Sequence, residues 1–150
     1  MNISTRGRYG LMAMTELALR YGQGPVPLKT IAESQGLSES YLEQLFAALR
    51  KASLVRSVRG AQGGYELSRP PETISVGDVL RVLEGPLAPV ECAILERDDF
   101  AHCGNPDRCM TRSVWVRLRQ SIEKVVDSIN LASLCEEARD QSAQGLMYYI

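Results

Sequence analysis

The chain of 150 residues holds a single histidine, His102, and no recognisable pairing of a nucleophile with a general base. With one imidazole and no such motif, nucleophilic or acid–base catalysis is a poor reading, and the chain is expected not to be an enzyme and to take no small-molecule substrate. No apolar run approaches the ~20 residues that a helix needs to cross a bilayer. The first residues, Met1 to Arg8, lack the apolar core of a secretory leader. A cytoplasmic protein with no membrane partner is therefore expected. Internal repeats and low-complexity segments are missing too. In a reducing compartment, four cysteines point to free thiols or metal ligands and away from a disulfide framework.

One absence is local. From Gln44 to Tyr65 there is no acidic residue, while Arg50, Lys51, Arg56 and Arg59 are all basic. The net charge of −1 conceals this asymmetry. Residues 1–70 carry nine Lys/Arg against five Asp/Glu, a balance of +4; residues 71–150 carry eight against thirteen, a balance of −5. A basic front half suits a polyanion. Hydrophobic content of 45% and charged content of 23% are ordinary for a globular chain. The length suits one core with an appendage, or two very small domains.

Apolar spacing divides the chain. Ser4 can cap a helix, and Leu11, Met14, Leu17, Ala18 and Tyr21 recur at helical spacing over 9–21. Gly22-Gln23-Gly24-Pro25 ends it. Leu28, Ile31 and Ala32 mark a short second helix, and Gly36-Leu37-Ser38 a tight turn. A third helix from Ser38 buries Leu42, Leu45, Phe46 and Leu49. Residues 54–58 and 65–67 alternate like strands around the tip Arg59-Gly60-Ala61-Gln62-Gly63-Gly64. That tip lacks the Gly-x-x-x-x-Gly-Lys-Ser/Thr pattern of a phosphate loop. A strand or bend at 74–76, a helix over 77–84, a loop over 87–109, a long helix over 111–130 and a short one over 131–139 complete the reading.

Two short helices joined by a glycine turn and followed at once by a basic hairpin have the order of a winged helix. The predicted fold is mainly α with a small β-wing: a winged helix-turn-helix with a long C-terminal dimerisation helix. Its expected divisions are a DNA-binding unit at 1–84, a cysteine-bearing loop at 85–110, and a dimerisation helix with its tail at 111–150. The expected partner is double-stranded DNA. The predicted contact set is Glu39, Ser40, Tyr41, Glu43, Gln44, Arg50, Lys51, Arg56, Arg59 and Gly60. Small polar side chains on a helix can reach base edges, basic ones neutralise phosphate, and an arginine at a wing tip can enter a narrow minor groove.

Cys92, Cys103 and Cys109 sit on one polar, turn-rich stretch, which suggests a soft-metal or redox site. Cys135 falls at an apolar-facing position and reads as a small buried hydrophobe without a role.

Particular residues then carry a resemblance. Ser4 to Gly10, Pro27-Leu28 through Ile31-Ala32, Tyr41-Leu42-Glu43-Gln44-Leu45-Phe46, and Val58-Arg59-Gly60 with Gly63-Gly64-Tyr65 resemble the superfamily of winged-helix regulators. Its members include IscR, which regulates iron–sulfur cluster biogenesis, the nitric-oxide sensor NsrR and the cysteine-metabolism regulator CymR. The resemblance spans residues 1 to about 138. It implies a homodimer, with Trp115, Leu118, Ile122, Val125 and Ile129 on the crossing helix. It also implies a [2Fe–2S] cluster on Cys92, Cys103 and Cys109, controlling cluster-biogenesis genes as activator or repressor. In IscR relatives the fourth ligand is a histidine three residues after the third cysteine, and here that place is Arg112. His102, Asp98, Asp99, Asp107 and a partner-subunit residue are the alternatives. NsrR-like relatives carry an acidic ligand near position 8, here Arg8. CymR-like relatives act without a cluster, through a partner enzyme.

Overall fold

The structure, a computed structural model, describes residues 1–94 and 109–147, the last two by their backbone alone. The first helix, α1 (Thr5–Leu19), starts before its apolar stripe because two residues cap it. Ser4 accepts from the Gly7 N–H at 3.4 Å. Glu84, from far along the chain, accepts from the N–H groups of Ser4 and Gly7 at 3.0 Å each, and from the Ser4 hydroxyl. A carboxylate at this end also complements the helix dipole.

A short helix, α2 (Leu28–Gln35), ends at Gly36, whose φ of 65° is left-handed. α3 (Glu39–Lys51) begins where Ser38 accepts from the Tyr41 N–H at 3.1 Å. Its stripe of Leu42, Leu45, Phe46 and Leu49 is fully buried. The strands β1 (Val55–Val58) and β2 (Gly64–Leu67) pair antiparallel, with Val55 opposite Leu67 and Arg56 opposite Glu66. The hairpin is moored along the outer edge of β2, where Val26 and Tyr65 exchange backbone hydrogen bonds of 2.8 and 2.9 Å. This close approach requires Gly64, since a Cβ there would lie 2.3 Å from the Val26 backbone. Tyr65 packs on Phe46 with ring centroids 4.9 Å apart.

The bend at 74–76 is the capping box of α4 (Val76–Glu84), formed by Ser75 and Asp78. The same stretch bonds outward: Val76 N–H donates to the Ile129 carbonyl at 2.8 Å and Leu131 N–H to the Ile74 carbonyl at 2.9 Å. The chain ends in α5 (Arg112–Ser128) and α6 (Leu131–Met147). α6 runs well past the 139 expected from its stripe. Apolar burial stops at Cys135, but the following Ala, Gln and Glu residues still favour helix.

The main core draws on α1 to α4 and both strands, and Leu131 and Cys135 of α6 join it. A smaller cluster of Val76, Leu80 and Leu87 is roofed by Ile122, Val126 and Ile129. Among the described residues, no helix is long and apolar enough to cross a membrane.

Candidate functional site

The outer face of α3 carries Glu39, Ser40, Glu43, Gln44, Arg50 and Lys51, all exposed. Tyr41 differs: it is half-buried, edge-on to Tyr9 with ring centroids 6.2 Å apart. Arg50 reaches from the end of α3 to the Ser57 hydroxyl at 3.5 Å, tying the helix to the wing. At the tip, Arg59 and Gly60 are exposed, and the turn is closed by the Gly63 N–H donating to the Gly60 carbonyl at 3.0 Å.

Arg56 is placed otherwise. Side chains alternate across a strand, so Arg56 and Glu66 leave the hairpin on the face opposite Ser57 and Tyr65. The two form a cross-strand ion pair of 2.7 Å. Counting basic residues could not reveal this partner, because Glu66 lies just beyond the acid-free run.

The described cysteines of the loop meet the start of α5. Cys92 lies half-buried in a single 3-10 turn, Glu91–Ala93, anchored by the fully buried Ala93. Its carbonyl accepts from Arg112 Nε at 3.3 Å. Cys109 Sγ stands 3.6 Å from Thr111 Oγ1. The Thr111 hydroxyl, then the backbone N–H groups of Thr111 and Arg112 and the Arg112 charge, hold the Cys109 thiol below its ordinary value. Thiolate is the form that binds soft metals. Cys103, His102, Asp98, Asp99 and Asp107 lie outside the described residues. Among those described, no three His, Cys, Asp or Glu side chains gather as a metal site.

The donor chemistry fits a thiolate-held cluster at Cys92 and Cys109, as far as two ligands go. It does not fit at Arg112, whose guanidinium is a donor only and already engages the Cys92 carbonyl. Cys135 is buried, donates to the Thr15 carbonyl at 3.8 Å, and has its thiol pushed up by burial. That is the environment of a small hydrophobe.

The stripe of α5 divides. Ile122 and Ile129 pack within the chain. Leu118 and Val125 are 44% and 57% exposed, with Val114 beside them, and Trp115 is half-buried. No residue of α5 is fully buried in the single chain.

The sequence matches, over residues 3–137, the family model described as "Rrf2: Iron-dependent Transcriptional regulator". It is similar to the transcriptional regulator CymR of Bacillus subtilis, at 47% identity over the full length of both chains. It is also similar to the regulator IscR of Sodalis glossinidius, at 43% identity over 89% of this chain and 78% of that one. Among solved structures, T. potens IscR superimposes with a TM-score of 0.75 at 53% identity, covering 99% of this chain and 97% of the other. The global cysteine regulator CymR of B. subtilis gives a TM-score of 0.74 at 47% identity, covering 91% and 98%.

Proposed function

The chain belongs to the Rrf2 family of transcriptional regulators, and from that premise we propose how its two ends divide the work. The exposed face of α3 enters the major groove of double-stranded DNA, with Gln44 and its neighbours at base edges. Arg59 and Gly60 at the wing tip approach the minor groove. Arg50 and Lys51 neutralise phosphate. A second subunit supplies the other half-site, and the uncovered apolar residues of α5 support that dimer.

The finer reading is a sensor. Cys92, Cys103 and Cys109 hold an iron–sulfur cluster of the [2Fe–2S] type, with His102 or a partner-subunit residue completing the set. When bound, the cluster supplies an iron-dependent redox centre. The observation that carries this reading is the bond from Arg112 to the Cys92 carbonyl. It ties the backbone of Cys92 to the first residue of α5, and Cys109 lies just before that helix with its Sγ against the Thr111 hydroxyl. A shift of either cysteine therefore acts directly on the helix that bears the uncovered apolar face. Occupancy changes DNA binding only if two arrangements of that helix differ in affinity for the cluster. The regulated genes, on this reading, are those of cluster biogenesis.

A cluster-free thiol regulator is the second reading. It is favoured by Arg112, which stands where IscR relatives place a histidine ligand; the near full-length similarities to CymR and to T. potens IscR weigh equally on both sides. An NsrR-like nitric-oxide sensor has less support, because Arg8 stands at the acidic ligand's place, 6.0 Å from the Tyr9 ring. Visible absorbance and iron content of protein purified without oxygen decide between the first two. A brown, iron-loaded protein that loses colour in Cys92→Ala and Cys109→Ala supports the cluster. A colourless, iron-free protein that still protects promoter DNA, even after anaerobic reconstitution, supports the thiol regulator.

A further inference from the structure

Behind the wing lies a cavity of about 420 Å³, between the turn that follows α1 and the outer face of the hairpin. Three arginines from three separate places line it: Arg20 at the end of α1, Arg56 on β1 and Arg69 after β2. Each is oriented by a carboxylate. Arg20 Nη2 donates to Glu16 at 2.9 Å and Arg56 Nε to Glu66 at 2.7 Å. Arg69 Nη2 donates to Asp78, and its Nε to the Thr73 carbonyl, both at 3.3 Å. These bonds leave Nη1 of Arg20, both Nη groups of Arg56 and Nη1 of Arg69 without a partner among the described residues. Each guanidinium is thus balanced by one carboxylate, but of the three carboxylates only Glu66 lines the cavity, so its wall is richer in N–H donors than in acceptors. On the turn side, Gly22 and Gly24 present no side chain, and the space where a Cβ would stand is open.

We propose that this cavity binds a small, multiply charged oxyanion of the phosphate or polycarboxylate class. The guanidinium fork matches the paired oxygens of such a ligand. Because carboxylates already hold these side chains, much of the ordering that binding would require is complete before the ligand arrives. The site faces away from the recognition helix, since Arg56 leaves the hairpin on the face opposite Ser57, the residue that Arg50 of α3 engages. A free anion is therefore a better occupant than a DNA phosphate. Bound there, it braces the wing against the end of α1, next to the Val26–Tyr65 mooring. Wing placement, and hence DNA affinity, would then follow anion concentration.

Pyrophosphate is the probe, added to the full chain without DNA and compared with sodium chloride at equal ionic strength. The expected result is a saturable calorimetric titration and a rise in Tm above the chloride control. Arg20→Gln/Arg69→Gln should bind at least about tenfold more weakly, the loss expected for charge-assisted bonds. Arg20→Lys/Arg69→Lys should fall between, keeping the charge but losing the fork. If the double variant folds poorly, Arg20→Gln alone, which leaves the Arg69 contacts to Thr73 and Asp78 intact, carries the comparison. A titration that does not saturate, or one that is unchanged in the folded variants, overturns the proposal. A second arm measures promoter-fragment binding against salt without pyrophosphate. An unchanged slope is expected; a slope reduced by about one for each arginine removed would assign the cavity to the DNA backbone and overturn the small-anion reading.

Discussion

Arg81 on α4 grips Asp127 on α5 through two parallel bonds, Nη1 to Oδ1 at 2.7 Å and Nη2 to Oδ2 at 2.8 Å. This pair joins the winged helix to the helix that begins at the cysteines. The Arg81 guanidinium holds the Asp127 carboxyl below its ordinary value, and the carboxylate raises Arg81 in turn. The folded-state value of Asp127 is thus depressed relative to the ~3.9 of an unfolded aspartate. Its contribution to stability is fully present above ~3.9 and is lost as pH falls through the lower folded value. Both side chains are partly exposed, so solvent limits the pair to roughly 1 kcal/mol or less. Asp127→Asn should lower the unfolding free energy by about that amount at pH 7. The gap to the wild type should narrow as pH falls below the ~3.9 of an unfolded aspartate and through the lower folded value, as read from urea unfolding across the acid range.

Gly77 lies beneath this pair, and a Cβ there would come 2.0 Å from Asp127 Oδ1. Gly77→Ala should gain up to about 1 kcal/mol of helix propensity but displace the carboxylate. The substitution is therefore expected to be more favourable in an Asp127→Ala background than in the wild type, by about 0.5–1 kcal/mol. Strict additivity of the two changes would show that Gly77 and Asp127 do not interact.

Glu84 closes the start of α1 from another helix. Its removal orphans the N–H of Ser4 and leaves Gly7 with only the long bond to the Ser4 hydroxyl. Glu84→Ala should cost about 0.5–2 kcal/mol, the range for losing a helix cap. With a shift of roughly 2–4 °C per kcal/mol for a chain of this size, the loss is readable by thermal unfolding.

This cap also marks where reading the sequence stops. The buried stripes of α2 and α3, the hairpin and the Ser38 cap were all legible, because each rests on contacts within about four residues or on strict alternation. The Ser4 cap of α1 was legible too, but the Glu84 carboxylate that completes it comes from nearly eighty residues away. The pairing of Arg56 with Glu66 depends on strand register. The division of the α5 stripe, with Ile122 and Ile129 turned inward and Leu118 and Val125 left open, depends on where α4 lies. Helical periodicity places all four on one stripe and cannot assign them to different partners. The end of α6 was missed for the opposite reason: it is helix without a buried face.

On the DNA side, the placement of charge separates residues that composition treats alike. Arg59 is exposed at the tip, so Arg59→Ala should weaken promoter binding and reduce the salt slope by about one. Arg56 is already matched by Glu66. Glu66→Gln should therefore strengthen binding modestly at low salt, an effect that fades as salt rises. Glu43 is exposed on the α3 face proposed to meet DNA, where a carboxylate would be repelled by phosphate unless it accepts from a cytosine amino group. Glu43→Ala is expected to broaden the set of bound sites, and footprinting over several promoters reads this directly. An unchanged site preference would remove Glu43 from the specificity set.

The uncovered residues of α5 give the last prediction. Leu118 and Val125 stand about two turns apart with their side chains largely outside the chain's own cores, so charging them should leave the subunit folded. Burying a fully exposed leucine or valine is worth about 1.5–3 kcal/mol, and a two-fold interface uses each residue twice. Leu118→Glu/Val125→Glu should therefore convert a dimer to a monomer at micromolar concentration in sedimentation measurements, with the helical signal preserved. Ile122→Glu and Ile129→Glu are the informative contrast. Both residues pack on the cluster of Val76, Leu80 and Leu87, so these variants should lose stability in dilute monomer as well. If Leu118→Glu/Val125→Glu remains dimeric, the association surface lies elsewhere, and the link from the cysteines through α5 to a second subunit loses its support.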